Sequence, residues 1–230
     1  VLQAAPLTWQ MEYDQMDNTI AIIGTACRFP ASANTPEAFW ERLRDGVDGI
    51  KPYPLERYDI SKFVGDEEGK IITNEIATID DIDQFDAQFF RISPREALSI
   101  DPRHRIMLET TWEALENAAI GPEDLAGSLT GVFIGISSGD YYKSMIGIPP
   151  RAGTGIANSI APNRISYVLD LCGPSIAIDT ACSSSLVSVH MACQSLHTRD
   201  SNLALAGGVN LILSPEVTVA LSQAGMMASD

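Results

Sequence analysis

The feature that most restricts the fold is a strand-like run that passes directly into a helix-like run and then into a second strand-like run. SIAIDT (175–180) is apolar and β-branched, residues 183–197 have helical spacing, and LALAGGVNLIL (203–213) is again strand-like. Strands that alternate with helices indicate a sheet with helices packed on it. The sequence therefore predicts an α/β layered fold.

Further strands and helices are predicted upstream of this unit. Strands are expected at 19–24, as a buried strand, and at 130–137, where Gly131 and Gly135 indicate close approach by a neighbouring element. Residues 1–18 are polar and are expected to form an irregular N-terminal linker. The remaining predicted helices cover residues 35–46, 94–121 and 161–171.

Prolines and a glycine divide the 94–121 stretch. Pro94 and Pro102 each mark a helix start, because proline is favoured in the first turn of a helix. Gly121 is expected to end the second helix. His104 lies near the start of that helix, where a solvent-facing or capping role is expected.

Composition argues against several classes of function. The net charge of −15, from 15 basic and 30 acidic residues, argues against a nucleic-acid binder, which neutralises phosphates with clustered Lys and Arg. No apolar run reaches the ~18 residues that span a bilayer, so no membrane association is expected. The four cysteines form no C-x-x-C pair, which favours a reducing cytoplasm over disulfides or a bound metal.

Cys182 is the candidate catalytic residue. It lies between the 175–180 strand and the 183–197 helix, where free backbone N–H groups and the helix dipole stabilise an anion such as a thiolate or an acyl-transfer oxyanion. A strand-to-helix turn also presents the nucleophile of hydrolases. The alternative, a buried structural cysteine beside capping serines, is equally compatible with the spacing. The predicted apolar face of the helix consists of Leu186, Val189, Cys193 and Leu196.

None of the three histidines can serve Cys182 as a base. A thiolate nucleophile normally needs a histidine within hydrogen-bond reach. His190 and His197 follow on the same helix, roughly 12 and 22 Å beyond Cys182 along its axis, and His104 lies on another helix. Either Cys182 is inert or its partners lie in sequence outside this chain.

The motifs around Cys182 resemble those of the β-ketoacyl synthase domain of modular polyketide synthases. DTACSSSL carries Cys182, with RISYVLDLCGPS before it and LALAGGVNLILSP after it. Upstream, in the family order, are IAIIGTACRFP, FDAQFFRISPREA, DPRHRIMLETTWEALENAAI and TGVFIG, and ALSQAGMMASD closes the chain. The resemblance covers the N-terminal half of such a domain. We therefore expect residues 19–230 to be that half, with the C-terminal half outside this chain.

The resemblance implies a thiolase-like layered αβαβα fold and a homodimer. It also implies that Cys182 accepts an acyl chain from the 4'-phosphopantetheine of an acyl carrier protein. Decarboxylation of a malonyl-type extender would then supply the carbanion for a Claisen condensation. The domain would bind no cofactor of its own. Its partners would be the acyl carrier protein, the C-terminal half of the same domain and neighbouring synthase domains.

The family's two catalytic histidines and its lysine belong to the C-terminal half, so the chain alone is expected to be inactive. Two alternatives stay open: a ketosynthase-like domain that passes chains on without elongating them, and a non-catalytic scaffold or dimerisation module. Cys182 is not replaced by glutamine, as it is in decarboxylating loading variants. Elongation or chain transfer is therefore favoured over decarboxylation alone.

Overall fold

The computed structural model describes residues 1–4, 19–65, 67, 70–137, 139–145 and 152–228. The chain divides into two units. The first is built from Val1–Ala26, Asp83–Gly139 and Ile148–Asn210, and the second from Cys27–Ile82, Asp140–Gly147 and Leu211–Asp230.

The strands and helices follow one another along both units. In chain order, the strands are β1 (Leu2–Ala4), β2 (Ile20–Ile22), β3 (Ile50–Pro52), β4 (Glu75–Ala77), β5 (Thr130–Gly135), β6 (Ser175–Ile178) and β7 (Leu203–Gly208). The α-helices are α1 (Pro36–Arg44), α2 (Pro94–Ala97), α3 (Pro102–Asn117), α4 (Pro122–Leu125), α5 (Ala152–Ile156), α6 (Ile160–Val168), α7 (Ser184–Thr198) and α8 (Glu216–Gln223). Short 3₁₀ helices lie at Ile60–Lys62, Tyr141–Ser144 and Ala181–Ser183.

The predicted strand–helix–strand motif is confirmed, and it lies in the first unit. Among the described residues, one sheet has the order β2-β1-β7-β5-β6, and its last three strands are parallel. Gly135 at the end of β5 is paired with Ile178 in β6 and with Gly208 in β7. Helix α7 carries the chain from β6 to β7, so β5 lies between the two strands of the crossover.

Helices cover both faces of the central strands, as the alternation of side chains along β5 shows. Val132 and Ile134 pack in one apolar cluster with residues of α3 and α6. Phe133 packs in another cluster with Ala192 and Leu196 of α7. All six residues of β5 are therefore buried, and the predicted α/β layered class is confirmed.

Helix α7 lies close to the sheet because small residues meet on both sides of the contact. A Cβ atom added at Gly135 would be 2.7 Å from the carbonyl carbon of Ser184 and 2.7 Å from the backbone nitrogen of Ser185. Ser188 is buried and its hydroxyl donates to the Gly207 carbonyl at 2.9 Å. The close approach predicted from Gly135 is thus confirmed.

Only part of the apolar face that the sequence predicted for α7 packs on the sheet. Leu186 is 75% exposed and Val189 is 41% exposed, whereas Cys193 is half-buried and Leu196 is buried. The buried positions of the helix are Ser184, Ser188, Ala192, Ser195 and Leu196. The small residues of α7 meet the glycine-containing part of the sheet at short range, and Leu196 packs with Phe133 of β5. Leu186 and Val189 do not take part in this packing.

Two further predicted features, the burial of the strand near 19–24 and the helix end at Gly121, are wrong. β2 is an edge strand and Ile22 is exposed, so the strand is not buried as expected. Helix α3 ends at Asn117, and Ala119, with φ 54°, takes the left-handed conformation after the helix. Gly121 is instead the N-cap residue of α4.

The irregular structure expected for the N-terminal segment is also wrong where the structure describes it. Leu2–Ala4 form β1, which pairs antiparallel with both β2 and β7, so the strand satisfies its backbone groups within the sheet. Leu2 is buried in the cluster that packs on α7. Residues 5–18 lie outside the described residues.

The second unit contains a short two-stranded sheet and the predicted N-terminal helix. β3 and β4 pair antiparallel, with Ile50 opposite Ala77. The Thr35 hydroxyl accepts a hydrogen bond from the Ala38 backbone N–H at 3.1 Å, which confirms the predicted N-cap of α1. The buried core of this unit consists of Tyr53, Ile60 and Ile71.

His104 is buried, so the solvent-facing or capping role expected for it is wrong. Asp101 caps α3 instead, because its carboxylate accepts from the Arg103 backbone N–H at 2.9 Å. The His104 ring is 1% exposed and neither ring nitrogen has a hydrogen-bond partner in the described structure. Burial is the largest influence and lowers the pKa of His104 to about 4; the nearby Asp101 carboxylate raises it, and Arg164 and Arg103 lower it further.

We expect Gly135→Ala to reduce the free energy of unfolding by about 1–3 kcal/mol, because the added methyl group overlaps the backbone of Ser184 and Ser185. Gly153→Ala is the matched control. No atom lies within 4 Å of a Cβ added there, and alanine is the better helix former, so its stability is unchanged or higher. Urea unfolding measures both variants, and equal stability of the two contradicts a tight contact at Gly135.

His104 is expected to make stability depend on pH. Its pKa of about 4 in the folded state lies below the ordinary value of 6.5, so between these pH values the unfolded chain binds more protons. The free energy of unfolding therefore has its full value above pH 6.5. It falls by about 3 kcal/mol as the pH is lowered to 4.

The measurement is urea unfolding of the wild type and of His104→Leu between pH 4 and pH 7. We expect the variant to gain stability relative to the wild type as the pH falls. His190→Gln is the control, because it replaces an exposed imidazole on α7 in place of the buried one. Parallel profiles for the wild type and His104→Leu would contradict the role of the buried ring.

Candidate active site

Cys182 lies in the one-turn 3₁₀ helix Ala181–Ser183, between the end of β6 and the start of α7. The predicted strand-to-helix position is therefore confirmed. The side chain is exposed and carries a free thiol.

Side chains on both sides of Cys182 hold the backbone of this turn. Ala181 has φ 55°, a left-handed conformation that costs a non-glycine residue roughly 1–2 kcal/mol. Its backbone N–H donates to the Asp179 carboxylate at 3.1 Å. The Ser184 hydroxyl accepts from the Thr180 N–H at 2.9 Å and donates to the Ala181 carbonyl at 2.7 Å. An oxyanion at this turn would therefore have to use N–H groups beyond Ala181.

The turn lies at the carboxyl edge of the parallel strands. The Ile136 N–H donates to the Ile178 carbonyl at 3.0 Å, and the Val209 N–H donates to the Gly135 carbonyl at 3.0 Å. The backbone leaving β5 is thus held beside the backbone that leads into Cys182. In open α/β sheets, the carboxyl ends of the strands form the edge where ligands bind.

The fold keeps the three histidines away from the Cys182 turn, as the sequence predicted. His190 and His197 are exposed and follow Cys182 along α7. His104 lies on α3, which packs on the sheet face opposite to α7. This chain therefore brings no histidine to Cys182 as a base.

Sequence reasoning missed the polar groups that support this edge. Asp179 and Ser184 fix the turn itself, and an aspartate two residues before a turn N–H is a recognisable signal. Asp101, Arg103 and Asn158 form a second polar group behind the end of β5. Their sequence separation leaves no local signal for it.

The described parts of the chain show neither a cluster of three or more His, Cys, Asp and Glu side chains that would hold a metal ion nor a helix with the length and apolar character needed to cross a bilayer.

The chain matches a known family along most of its length. The family model described as "Beta-ketoacyl synthase, N-terminal domain" matches residues 17–230. A phenolphthiocerol/phthiocerol polyketide synthase subunit of Mycobacterium bovis is 48% identical over 213 residues, which are 89% of this chain and 12% of that protein. Polyketide synthase GfsB of Streptomyces halstedii is 44% identical over 225 residues, which are 94% of this chain and 4% of that protein.

Solved structures of ketosynthases have the same fold. The ketosynthase from module 6 of the bacillaene synthase of Bacillus subtilis 168 matches with a TM-score of 0.84 and 37% identity, over 91% of this chain and 35% of that one. The oxazolomycin ketosynthase domain OzmH KS7 of Streptomyces albus JA3453 matches with a TM-score of 0.82 and 37% identity, over 90% of this chain and 37% of that one. The chain thus spans little more than a third of these domains. With its three parallel central strands and its strand-to-helix turn at Cys182, it belongs to the β-ketoacyl synthase family and has the thiolase-like fold of polyketide synthase ketosynthases.

Proposed function

We propose that this chain supplies the nucleophile, Cys182, of a polyketide synthase ketosynthase domain that catalyses decarboxylative condensation. The observation that carries the proposal is the exposed Cys182 thiol in the turn between β6 and α7, inside a family match over residues 17–230. Exposure is what a thiol needs if it is to meet a carrier-bound acyl group.

The first step is acyl transfer to Cys182. The Cys182 thiolate attacks the carbonyl carbon of an acyl thioester on the phosphopantetheine of an acyl carrier protein. The resulting oxyanion collapses, the new bond to the Cys182 sulfur remains, and the pantetheine thiolate leaves and takes up a proton. The helix dipole of α7 favours the negative charge that develops beside its first turn.

The second step forms the new carbon–carbon bond. A malonyl-type extender on the carrier protein loses CO₂, and the electron pair of the broken bond forms a carbanion. The carbanion attacks the Cys182 thioester, and the Cys182 thiolate leaves. The product is a β-ketoacyl chain on the carrier protein that is two carbons longer. The resemblance assigns two histidines and a lysine of the C-terminal half to assist this step.

The arrangement of the whole domain is part of the proposal. Residues 19–230 form its N-terminal half, Leu2–Ala4 add a strand to the same sheet, and the C-terminal half completes the site. The partners are the acyl carrier protein, a second copy in a homodimer and neighbouring synthase domains. The domain needs no cofactor of its own, and reduced cysteines such as Cys172 and Cys182 suit a cytoplasmic location.

The direct test is the acyl adduct on Cys182. The intact ketosynthase domain is incubated with an acyl pantetheine thioester and its mass is measured. We expect one acyl adduct in the wild type and none in Cys182→Ala. Cys172→Ala is the matched control, because Cys172 is also an exposed free thiol and its loss leaves the adduct unchanged. Undiminished acylation of Cys182→Ala would refute the proposal.

Addition of malonyl carrier protein to the same assay separates the alternatives. Release of CO₂ with a β-ketoacyl product supports condensation. Acylation of Cys182 followed by transfer without CO₂ identifies a non-elongating chain-transfer domain. An unacylated Cys182 that also fails to react with iodoacetamide identifies a scaffold.

The chain of 230 residues on its own is expected to form no β-ketoacyl product from acyl and malonyl thioesters. The physical reason is that none of its histidines lies where it could assist decarboxylation beside Cys182. Mass spectrometry of the thioester products checks this expectation, with the intact domain as the positive control. A β-ketoacyl product made by the chain alone would contradict it.

A further inference from the structure

A buried ion pair lies at the start of α3. The Arg103 side chain is 2% exposed and the Asp101 side chain is 1% exposed. The guanidinium donates through Nε to Asp101 Oδ1 at 3.1 Å and through Nη2 to Asp101 Oδ2 at 2.8 Å, a two-pronged contact. Removing two charges from water is costly, so such a pair calls for a reason beyond stability.

A further hydrogen bond connects the ion pair to the backbone that follows β5. Arg103 Nη1 donates to the Ser137 carbonyl at 2.7 Å. Asn158 Nδ2 donates to the same carbonyl at 2.8 Å, and its 3.4 Å contact to the Ile136 carbonyl is weaker. Arg103 Nη2 and Asn158 Oδ1 are 3.4 Å apart. Two side chains from separate elements therefore converge on one carbonyl group.

The space around the guanidinium is closed by backbone. A Cβ atom added at Gly139 would lie 1.8 Å from Arg103 Nη2, so the guanidinium is stacked against bare main chain. The Asp101 N–H donates to the Gly155 carbonyl at 2.8 Å, and a Cβ atom added at Gly155 would lie 1.8 Å from the Ser99 carbonyl oxygen. These contacts fix the ion pair between the α2–α3 turn and α5.

The carbonyl held by Arg103 and Asn158 is close in the fold to the Cys182 turn. Ser137 follows Ile136, whose N–H donates to Ile178, the last residue of β6, at 3.0 Å. Cys182 lies four residues beyond Ile178 on that strand's exit. The backbone leaving β5 and the nucleophile's turn are thus adjacent at one sheet edge.

We propose that Arg103 and Asn158 are positioning residues for acyl transfer to Cys182. By holding the Ser137 carbonyl, they fix the main chain that borders the acyl group when it reaches the Cys182 sulfur. The inference rests on the proposed function, because it takes Cys182 as the acyl acceptor. In this role the two side chains orient the acyl donor. The reactivity of the Cys182 thiol itself does not depend on them.

The test compares two reactions of Cys182 in the intact ketosynthase domain. Asn158→Ala removes the second donor to the Ser137 carbonyl without leaving a buried charge. We expect kcat/KM for acylation by an acyl pantetheine thioester to fall about 10-fold or more, since small misplacement of a reacting group has effects of this size. The rate of alkylation by iodoacetamide, which needs only an accessible thiol, should stay within about twofold.

Asn117→Ala is the matched control. Asn117 lies at the other end of α3, where its side-chain oxygen accepts from the Thr25 N–H at 3.0 Å. Its loss removes an asparagine-to-backbone hydrogen bond away from the Cys182 edge. Both reaction rates should then remain at the wild-type level.

Arg103→Lys tests the other side chain that donates to the Ser137 carbonyl. Lysine keeps a positive charge beside Asp101 but cannot make the two-pronged contact and also reach Ser137. We expect acylation to fall with alkylation preserved. The double variant should lose less than the product of the two single effects, because both side chains act on one carbonyl.

Three results would overturn the inference. They are wild-type acylation by Asn158→Ala, an equal fall in acylation and alkylation, and fully independent effects of the two substitutions. Failure of the proposed function has a different signature, because acylation would then be absent from the wild type or would persist in Cys182→Ala.

Discussion

The contact between the first turn of α7 and the glycine at the end of β5 determines the position of the candidate nucleophile. Gly135 has no side chain, so the backbone of Ser184 and Ser185 comes close to it. The strand pairs with β6 at the same level, which places the exit of β6 and the start of α7 side by side. Cys182 lies in the few residues that join them, and its location follows from the contact.

The same contact explains why the first turns of α7 face the sheet with small polar side chains. Helices that pack on sheets usually do so with an apolar stripe. Here Ser188 is buried and satisfies its hydroxyl on the Ser185 and Gly207 carbonyls, which offsets the cost of burying it. Leu186 and Val189 are exposed, whereas Leu196, two turns farther along the helix, is buried.

The sequence predicted elements whose signals are local. The strands near 130–137 and 175–180 and the helix near 183–197 follow from short apolar runs, and Cys182 lies at the junction where the pattern changes. The packed face of α7 was beyond such reasoning, because it depends on glycines in strands on either side of the helix in sequence.

The errors at β2 and at His104 have the same physical origin. An apolar strand looks alike whether it is central or at a sheet edge, and only the strand order makes Ile22 exposed. A histidine in a polar stretch looks solvent-facing until the neighbouring cap is known. Asp101 takes the capping position and His104, three residues later, faces the interior. In both cases tertiary structure decides what composition leaves open.

The buried Arg103–Asp101 ion pair behind β5 is explained by a backbone carbonyl group that needs a hydrogen-bond donor. A buried carbonyl group requires a donor, and within a sheet the next strand supplies it. Ser137 lies just beyond β5, and its carbonyl takes its donors from the side chains of Arg103 and Asn158. A guanidinium is suited to this task because its fixed fork binds Asp101 while a third N–H group reaches the carbonyl. An apolar pair of equal size would fill the space and leave that carbonyl short of a donor beside the Cys182 turn.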